Sequence, residues 1–270
     1  MSFPGSVLLS DRAVLIQTLT QRLPLGTRGY TQDGRAFRYS RADTTGIAIG
    51  KLCQQAAPDA SLDADQNLAT STLYACADYQ DTNSSAVYLA VSATEVVAAD
   101  VYKEGYLYIN NELGEGQMVR LGSHLAVDGT VSAIWKMNFE PDSKLSATLS
   151  TATLVGLIQN KYDKVIIRPD TARTGVPLGV TPRAITASYY FWLQTWGPIP
   201  CVIVLAGTIG LPLSDDSMTG TGTAGALHKF ATSTLAYTTG VENLFGRHLA
   251  DVMAPAATTE HCLVDLKLAP

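Results

Sequence analysis

Residues 185–213, ITASYYFWLQTWGPIPCVIVLAGTIGLPL, form the densest apolar segment of the chain. From Ile185 to Leu193 the side chains deal out to two faces, with Ile185, Ala187, Tyr189, Phe191 and Leu193 on one and Thr186, Ser188, Tyr190, Trp192 and Gln194 on the other. A period of two is the signature of a strand. Trp196-Gly197-Pro198-Ile199-Pro200 is expected to interrupt it, because proline removes a ladder donor and fixes φ. Cys201–Leu205, apolar on both faces, then reads as a short strand inside a sheet. The β-branched and aromatic content, with Gly and Pro close on either side, argues against a helix.

Working outward, the same period recurs. Val131 to Phe139 alternates cleanly, with Val131, Ala133, Trp135, Met137 and Phe139 facing inwards, and Val87, Leu89, Val91 and Ala93 alternate with Tyr88, Ala90 and Ser92. Tyr106–Ile109 leads through an Asn- and Gly-rich link into Gln117–Leu121, a predicted hairpin. Asp33-Gly34 predicts a tight turn between strands spanning 26–39, whose arms carry Arg28, Arg35 and Arg38 beside Tyr30, Phe37 and Tyr39. Residues 47–53, 145–158 and 164–168 read as further strands, Phe245–Val252 as another, and Cys262–Leu268 as a closing strand whose Cys262, Val264, Leu266 and Leu268 share a face. Leu227–Leu235 reads as a short helix or strand, and 214–225 as a loop. Val14, Leu15, Thr18, Leu19 and Leu23 repeat at three and four residues, predicting one helix within 10–23, capped by Ser10 or Asp11 and ended by Pro24. The expected fold is all-β, with one or two short helices, built as antiparallel sandwich-like or barrel-like domains. Three segments are predicted: residues 1–60 as a basic arm with the helix and hairpin, 61–125 as an inserted β subdomain, and 126–270 as the main β domain.

A chain of 270 residues, 46% hydrophobic and 16% charged, buries a substantial core and is not disordered. The net charge of −5 is unevenly placed, since residues 1–51 hold seven Arg or Lys against three Asp. A basic end on an acidic body suits docking onto an acidic protein surface or onto a neighbouring copy. The dispersed cations of an acidic chain do not suit nucleic acid. Cys53, Cys76, Cys201 and Cys262 lie far apart without a CxxC pair and read as reduced core thiols. No secretory signal opens the chain, and no apolar run is long enough to span a bilayer as a helix.

The chemistry-bearing patterns are sparse. No serine lies in GxSxG, HExxH is absent, and His124, His228, His248 and His261 read as surface or loop histidines. Gly114-Glu115-Gly116 has no following helix to aim amides at a phosphate. Asp63-Ala64-Asp65 and Asp215-Asp216 lack the remaining ligands of a calcium loop. Trp192 and Trp196 flank Gln194 and read first as core or interface residues, with stacking on a sugar as the alternative. The expected contact residues are therefore Arg28, Arg35, Arg38, Trp192 and Trp196. No catalytic, cofactor or metal residue is assigned, and the chain is expected not to be an enzyme.

GTRGYTQDGRAFRYSR (26–41), GKLCQ (50–54), EGYLYINNELGEGQMVRLGSH (104–124) and ITASYYFWLQTWGP (185–198), taken in this order with FGRHLA (245–250), resemble head decoration, or cement, proteins of tailed double-stranded DNA bacteriophages. The resemblance implies a non-enzymatic virion protein, made in the host cytoplasm, that binds the outer surface of the capsid through the major capsid protein. It further implies self-association, commonly as a homotrimer, with no membrane and no direct nucleic-acid partner. The alternative is a spike, fibre or carbohydrate-binding receptor module.

Overall fold

The structure is a computed structural model that describes residues 5–56, 74–77, 81–91, 96–128, 133–169, 174–203, 212–214, 223–229, 246–249 and 261–268. The fold is all-β, as the alternating pattern predicts. The first part of the chain carries β1 (Val7–Leu8), α1 (Asp11–Val14), β2 (Arg28–Tyr30), β3 (Ala36–Arg41) and β4 (Leu52–Gln54). The middle carries β5 (Tyr74–Ala75), β6 (Ala86–Val91), β7 (Val96–Val97), β8 (Tyr106–Ile109), β9 (Met118–His124), β10 (Val127–Asp128), β11 (Ala133–Phe139) and β12 (Leu154–Ile158). The last part carries β13 (Ile166–Ile167), β14 (Pro177–Val180), β15 (Tyr190–Val202), β16 (Pro212–Ser214), β17 (His228–Lys229), β18 (Gly246–His248) and β19 (His261–Lys267).

Two compact units result, one formed by residues 58–160 and the other by 4–57 together with 161–270. The sequence reading, with boundaries at 60 and 125, differs in two ways. Residues 36–41 are no arm: β3 pairs along β15 from Tyr190↔Arg41 to Trp196↔Ala36. The inserted unit also runs past 125, because β11 pairs with β6 and β9, and β12 with β8.

In the inserted unit the strand order is β5-β12-β8-β9-β11-β6, all antiparallel. Cys76 bridges Leu89, and the Ala77 N–H donates to the Tyr88 carbonyl at 2.8 Å, so β5 meets β6 and the sheet closes on itself. Closure removes the exposed edges that an open sheet would present. Leu89, Leu107, Leu121, Met137 and Leu157 fill the interior, each contributing about 1.5–3 kcal/mol by burial. Trp135 and Met137 of β11 lie opposite Leu89 and Val87 of β6, so the alternation read from the sequence is the inward face of the barrel. On its outward face Lys136 sits 5.8 Å from the centroid of the Tyr88 ring. Residues 145–149, expected as strand, are not; Leu145 and Leu149 are nonetheless buried, so their apolar spacing marks core plugs in a loop.

His124 is read from sequence as a surface or loop histidine, yet it is only 4% exposed at the end of β9. Its Nε2 accepts the Tyr102 N–H at 3.0 Å, which leaves Nδ1–H to donate to the Leu125 carbonyl at 2.9 Å. Trp135 Nε1–H donates to that same carbonyl at 3.0 Å, and the two rings meet edge-on with centroids 5.0 Å apart. Burial lowers the His124 pKa, opposed by the Leu125 hydrogen bond and by the Asp100 carboxylate.

The second unit holds eleven strands among the described residues, with the path β1-β2-β3-β15-β19-β18-β16-β17 and with β4, β13 and β14 branching beside it. β15 is the longest strand and pairs on both edges. The predicted break at Pro198 and Pro200 does not occur, and the main-chain parity explains why. Leu268 N–H donates to the Thr195 carbonyl at 3.0 Å, so the odd-numbered residues of β15 exchange bonds with β19 and the even-numbered ones point the other way. On that other side β3 ends at Ala36, opposite Trp196. Both prolines are exposed there, where among the described residues no neighbouring strand asks for a donor. Gly197, at φ +87°, supplies the left-handed residue that bends the strand between its two partners. The Gln194 side chain folds over the bend, its Nε2 donating to the carbonyls of Trp196, Gly197 and Pro198 at 3.1, 3.2 and 3.0 Å. β15 begins at Tyr190 and not at Ile185, because Ser188 takes φ +62° and turns the chain.

The predicted helix is cut to four residues. Ser10 caps it as expected, its hydroxyl accepting the Ala13 N–H at 3.2 Å. Thr18 then exchanges both backbone bonds with Tyr190, and Arg183 Nη1 donates to the Leu15 carbonyl at 2.6 Å, so residues 15–18 run as a strap beside residues 183–190. Leu15 and Leu19, which a helix would bury, are 45% and 65% exposed. β19 behaves as read, with Val264 and Leu266 buried in a cluster that Cys262 and Leu268 flank.

Two measurements test these assignments. Moving the proline by one position, Ile199→Pro, removes a donor to β19 and a fully packed side chain, and lowers stability in urea denaturation by about 3 kcal/mol or more. Because His124 has its pKa depressed in the folded state, its contribution is complete above its unfolded value of 6.5 and is lost as pH falls through the lower folded value. The urea midpoint of the inserted unit therefore falls between about pH 7 and pH 5, and His124→Gln, which keeps one donor and one acceptor, flattens that slope.

Candidate contact surface

The β2–β3 hairpin forms as the Asp-Gly signal predicts. Gly34, at φ +86°, closes the turn with its N–H on the Thr31 carbonyl at 3.0 Å, and the Thr31 hydroxyl bonds the Asp33 carboxylate. That hydroxyl, with Arg35 assisting against slight desolvation, holds the Asp33 carboxyl below its ordinary range. β1 lies parallel to β2, Leu8 opposite Tyr30, and forms the end of the sheet path among the described residues.

Which of the five expected contact residues remain available follows from the register. Trp192 does not: it is 6% exposed, lies opposite Tyr39, and packs edge-on against that ring at 5.2 Å. Gly29 lets it in, since a Cβ there would stand 2.9 Å from Trp192 Cζ3 and 2.4 Å from Leu9 Cδ1. The aromatic clustering that suggested stacking on a sugar is, at Trp192, core packing. Trp196 is half-buried, with Lys267 Nζ 6.0 Å from its ring centroid. Arg35 is engaged within the chain, its Nε 2.7 Å from Asp33 and its Nη2 on Asp11, while its guanidinium lies 5.8 Å from the Phe37 centroid.

Arg28 and Arg38 are different. They stand opposite one another on β2 and β3, and because Tyr39 N–H donates to the Thr27 carbonyl at 2.9 Å theirs is a non-hydrogen-bonded rung. Opposite Cα atoms on such a rung approach to about 4.5 Å. Tyr30, two residues on from Arg28, shares its face, and Leu8 lies beside Tyr30. Tyr30 is 41% and Leu8 56% exposed. Two half-buried cations thus border an exposed apolar patch. Sequence reading identified the arginines, but it missed Leu8, because β1 is too short to announce itself as a strand.

Burial pushes the Cys53 and Cys201 thiols far above their ordinary value and the Cys76 thiol up to about 11, so all three are poor nucleophiles. Gly114 and Gly116, at φ +88° and +82°, close the β8–β9 hairpin. Asp63, Asp65, Asp215 and Asp216 lie outside the described residues. Among the described residues no helix is long and apolar enough to cross a membrane. Comparison of the chain with models of protein families, with curated proteins and with solved structures finds no match.

Proposed function

We propose that this chain is a non-enzymatic decoration protein of a bacteriophage head, binding the outer surface of the capsid shell and bracing it, as a homotrimer. The observation that carries the reading is the open edge at β1, where exposed Leu8 and Tyr30 border the Arg28 and Arg38 rung. An edge strand of this kind accepts a strand from a neighbour, gaining main-chain hydrogen bonds that depend little on sequence. Three copies of one modest contact, held in a trimer, raise avidity without any single contact being strong. The hairpins spanning 26–41 and 104–124, which carry the resemblance to cement proteins, are formed as hairpins in the fold. The sugar-binding alternative loses Trp192 as a platform.

Cosedimentation with expanded capsids assembled without this protein tests the proposal. The wild-type chain is expected to pellet with the shell in a simple ratio to the capsid subunit. Leu8→Ser combined with Tyr30→Ser, both at exposed positions, is expected to cut occupancy at least about tenfold while leaving the fold unchanged by circular dichroism. Absence of wild-type pelleting overturns the proposal, and undiminished occupancy of the double variant removes this edge from it.

A further inference from the structure

We propose that Arg28 and Arg38 together seat a carboxylate side chain of a partner protein. Of the arginines on the hairpin and on β3, two have their charge answered within the chain: Arg35 by Asp33 and Asp11, and Arg41 by Asp163, whose Oδ2 lies 2.7 Å from Nη2. Arg28 and Arg38 pair with no carboxylate among the described residues, and the Nε of each is sealed from solvent with no acceptor. Among the described residues Arg38 Nη1 reaches only the Gly26 carbonyl, at 3.3 Å.

This arrangement is unfavourable for the isolated fold on two counts. Like charges directly opposite on adjacent strands destabilise the pair, most at the close, non-hydrogen-bonded rung. A donor buried without an acceptor loses its hydration and regains nothing. A third cation lies near: Tyr162 packs beneath Gly26, Lys161 Nζ lies 5.2 Å from its ring centroid, and Arg38 opposes the rise that burial imposes on the Tyr162 pKa. One planar oxyanion set between the two guanidinium groups would answer both charges and accept from their terminal Nη donors.

The surroundings select a protein as the source of that anion. Leu8 and Tyr30 continue the same face with apolar surface, and β1 beside them is the end of the sheet path, which suits an extended acidic segment better than a free ion. The inference rests on the reading of this face as a contact surface, not on the identity of the shell.

Isothermal titration of the purified full chain with two blocked pentapeptides, Glu-Val-Glu-Val-Glu and Gln-Val-Gln-Val-Gln, tests it. The acidic peptide is expected to bind at least about tenfold more tightly than its neutral twin. Arg28→Gln and Arg38→Gln each erase that preference, whereas Arg35→Gln, which removes the same charge from an answered position, leaves it within about twofold. Without peptide, Arg28→Gln is expected to unfold at the same or a higher urea concentration than the wild type. Equal affinity for the two peptides, a preference that survives both substitutions, or a loss of stability in unliganded Arg28→Gln overturns the proposal. So does stabilisation by inorganic phosphate at matched ionic strength with no binding of the acidic peptide, which would mark a free-anion site. No capsid enters this experiment, so its failure and the failure of capsid binding are separate results.

Discussion

The two-sided pairing of β15 is the constraint on which the larger unit depends. One edge of this strand takes β3, the other takes β14 and then β19, and residues 190–203 thereby join the beginning, middle and end of the chain. Both faces are covered as well: Phe191 and Leu193 are 1% and 0% exposed on one, Trp192 and Gln194 6% and 1% on the other. A strand buried on two faces and paired on two edges has no free direction in which to slip, so its register is strongly specified. The hairpin β2–β3 inherits that register, and with it the placement of Arg28 opposite Arg38.

Polar groups inside this unit are answered with care, which makes the exceptions informative. Arg168, 3% exposed, donates to Gln54 Oε1 and to the Gly175 carbonyl, both at 3.0 Å, and Gln54 in turn donates to Thr174 Oγ1 at 2.7 Å. A buried guanidinium without such partners would be strongly destabilising. Against that background Arg28 and Arg38, which pair with no carboxylate among the described residues, form a local conflict within the fold. The inserted barrel closes its sheet, and both ring nitrogens of its buried histidine are hydrogen-bonded.

Much of the fold was legible because alternation has a period that survives without knowledge of neighbours. Trp135, Met137 and Phe139 on β11, Val264 and Leu266 on β19, and the Asp33-Gly34 turn were all readable from the residues themselves. The failures share a cause. Val14, Leu15, Thr18 and Leu19 have helical spacing, but backbone bonds from Thr18 to Tyr190, a partner far along the chain, override a helix too short to sustain itself. Pro198 and Pro200 announce a break only if the missing donors are needed, and need is a property of the neighbouring strand. The arginines were visible as a basic hairpin, but composition does not distinguish Arg35, paired with Asp11, from Arg28, which pairs with no carboxylate among the described residues.

The amino-acid sequence by itself determined that this chain is built of strands, where its tight hairpins turn, and which strand residues face inwards, because these depend on local conformational preference and on a period of two. Only the tertiary structure decided that residues 36–41 belong to the main sheet, that 58–160 form a unit of their own, and which cations lack a carboxylate among the described residues. Those outcomes depend on which distant segments supply hydrogen-bond partners and counter-charges, and a one-dimensional pattern does not carry that information.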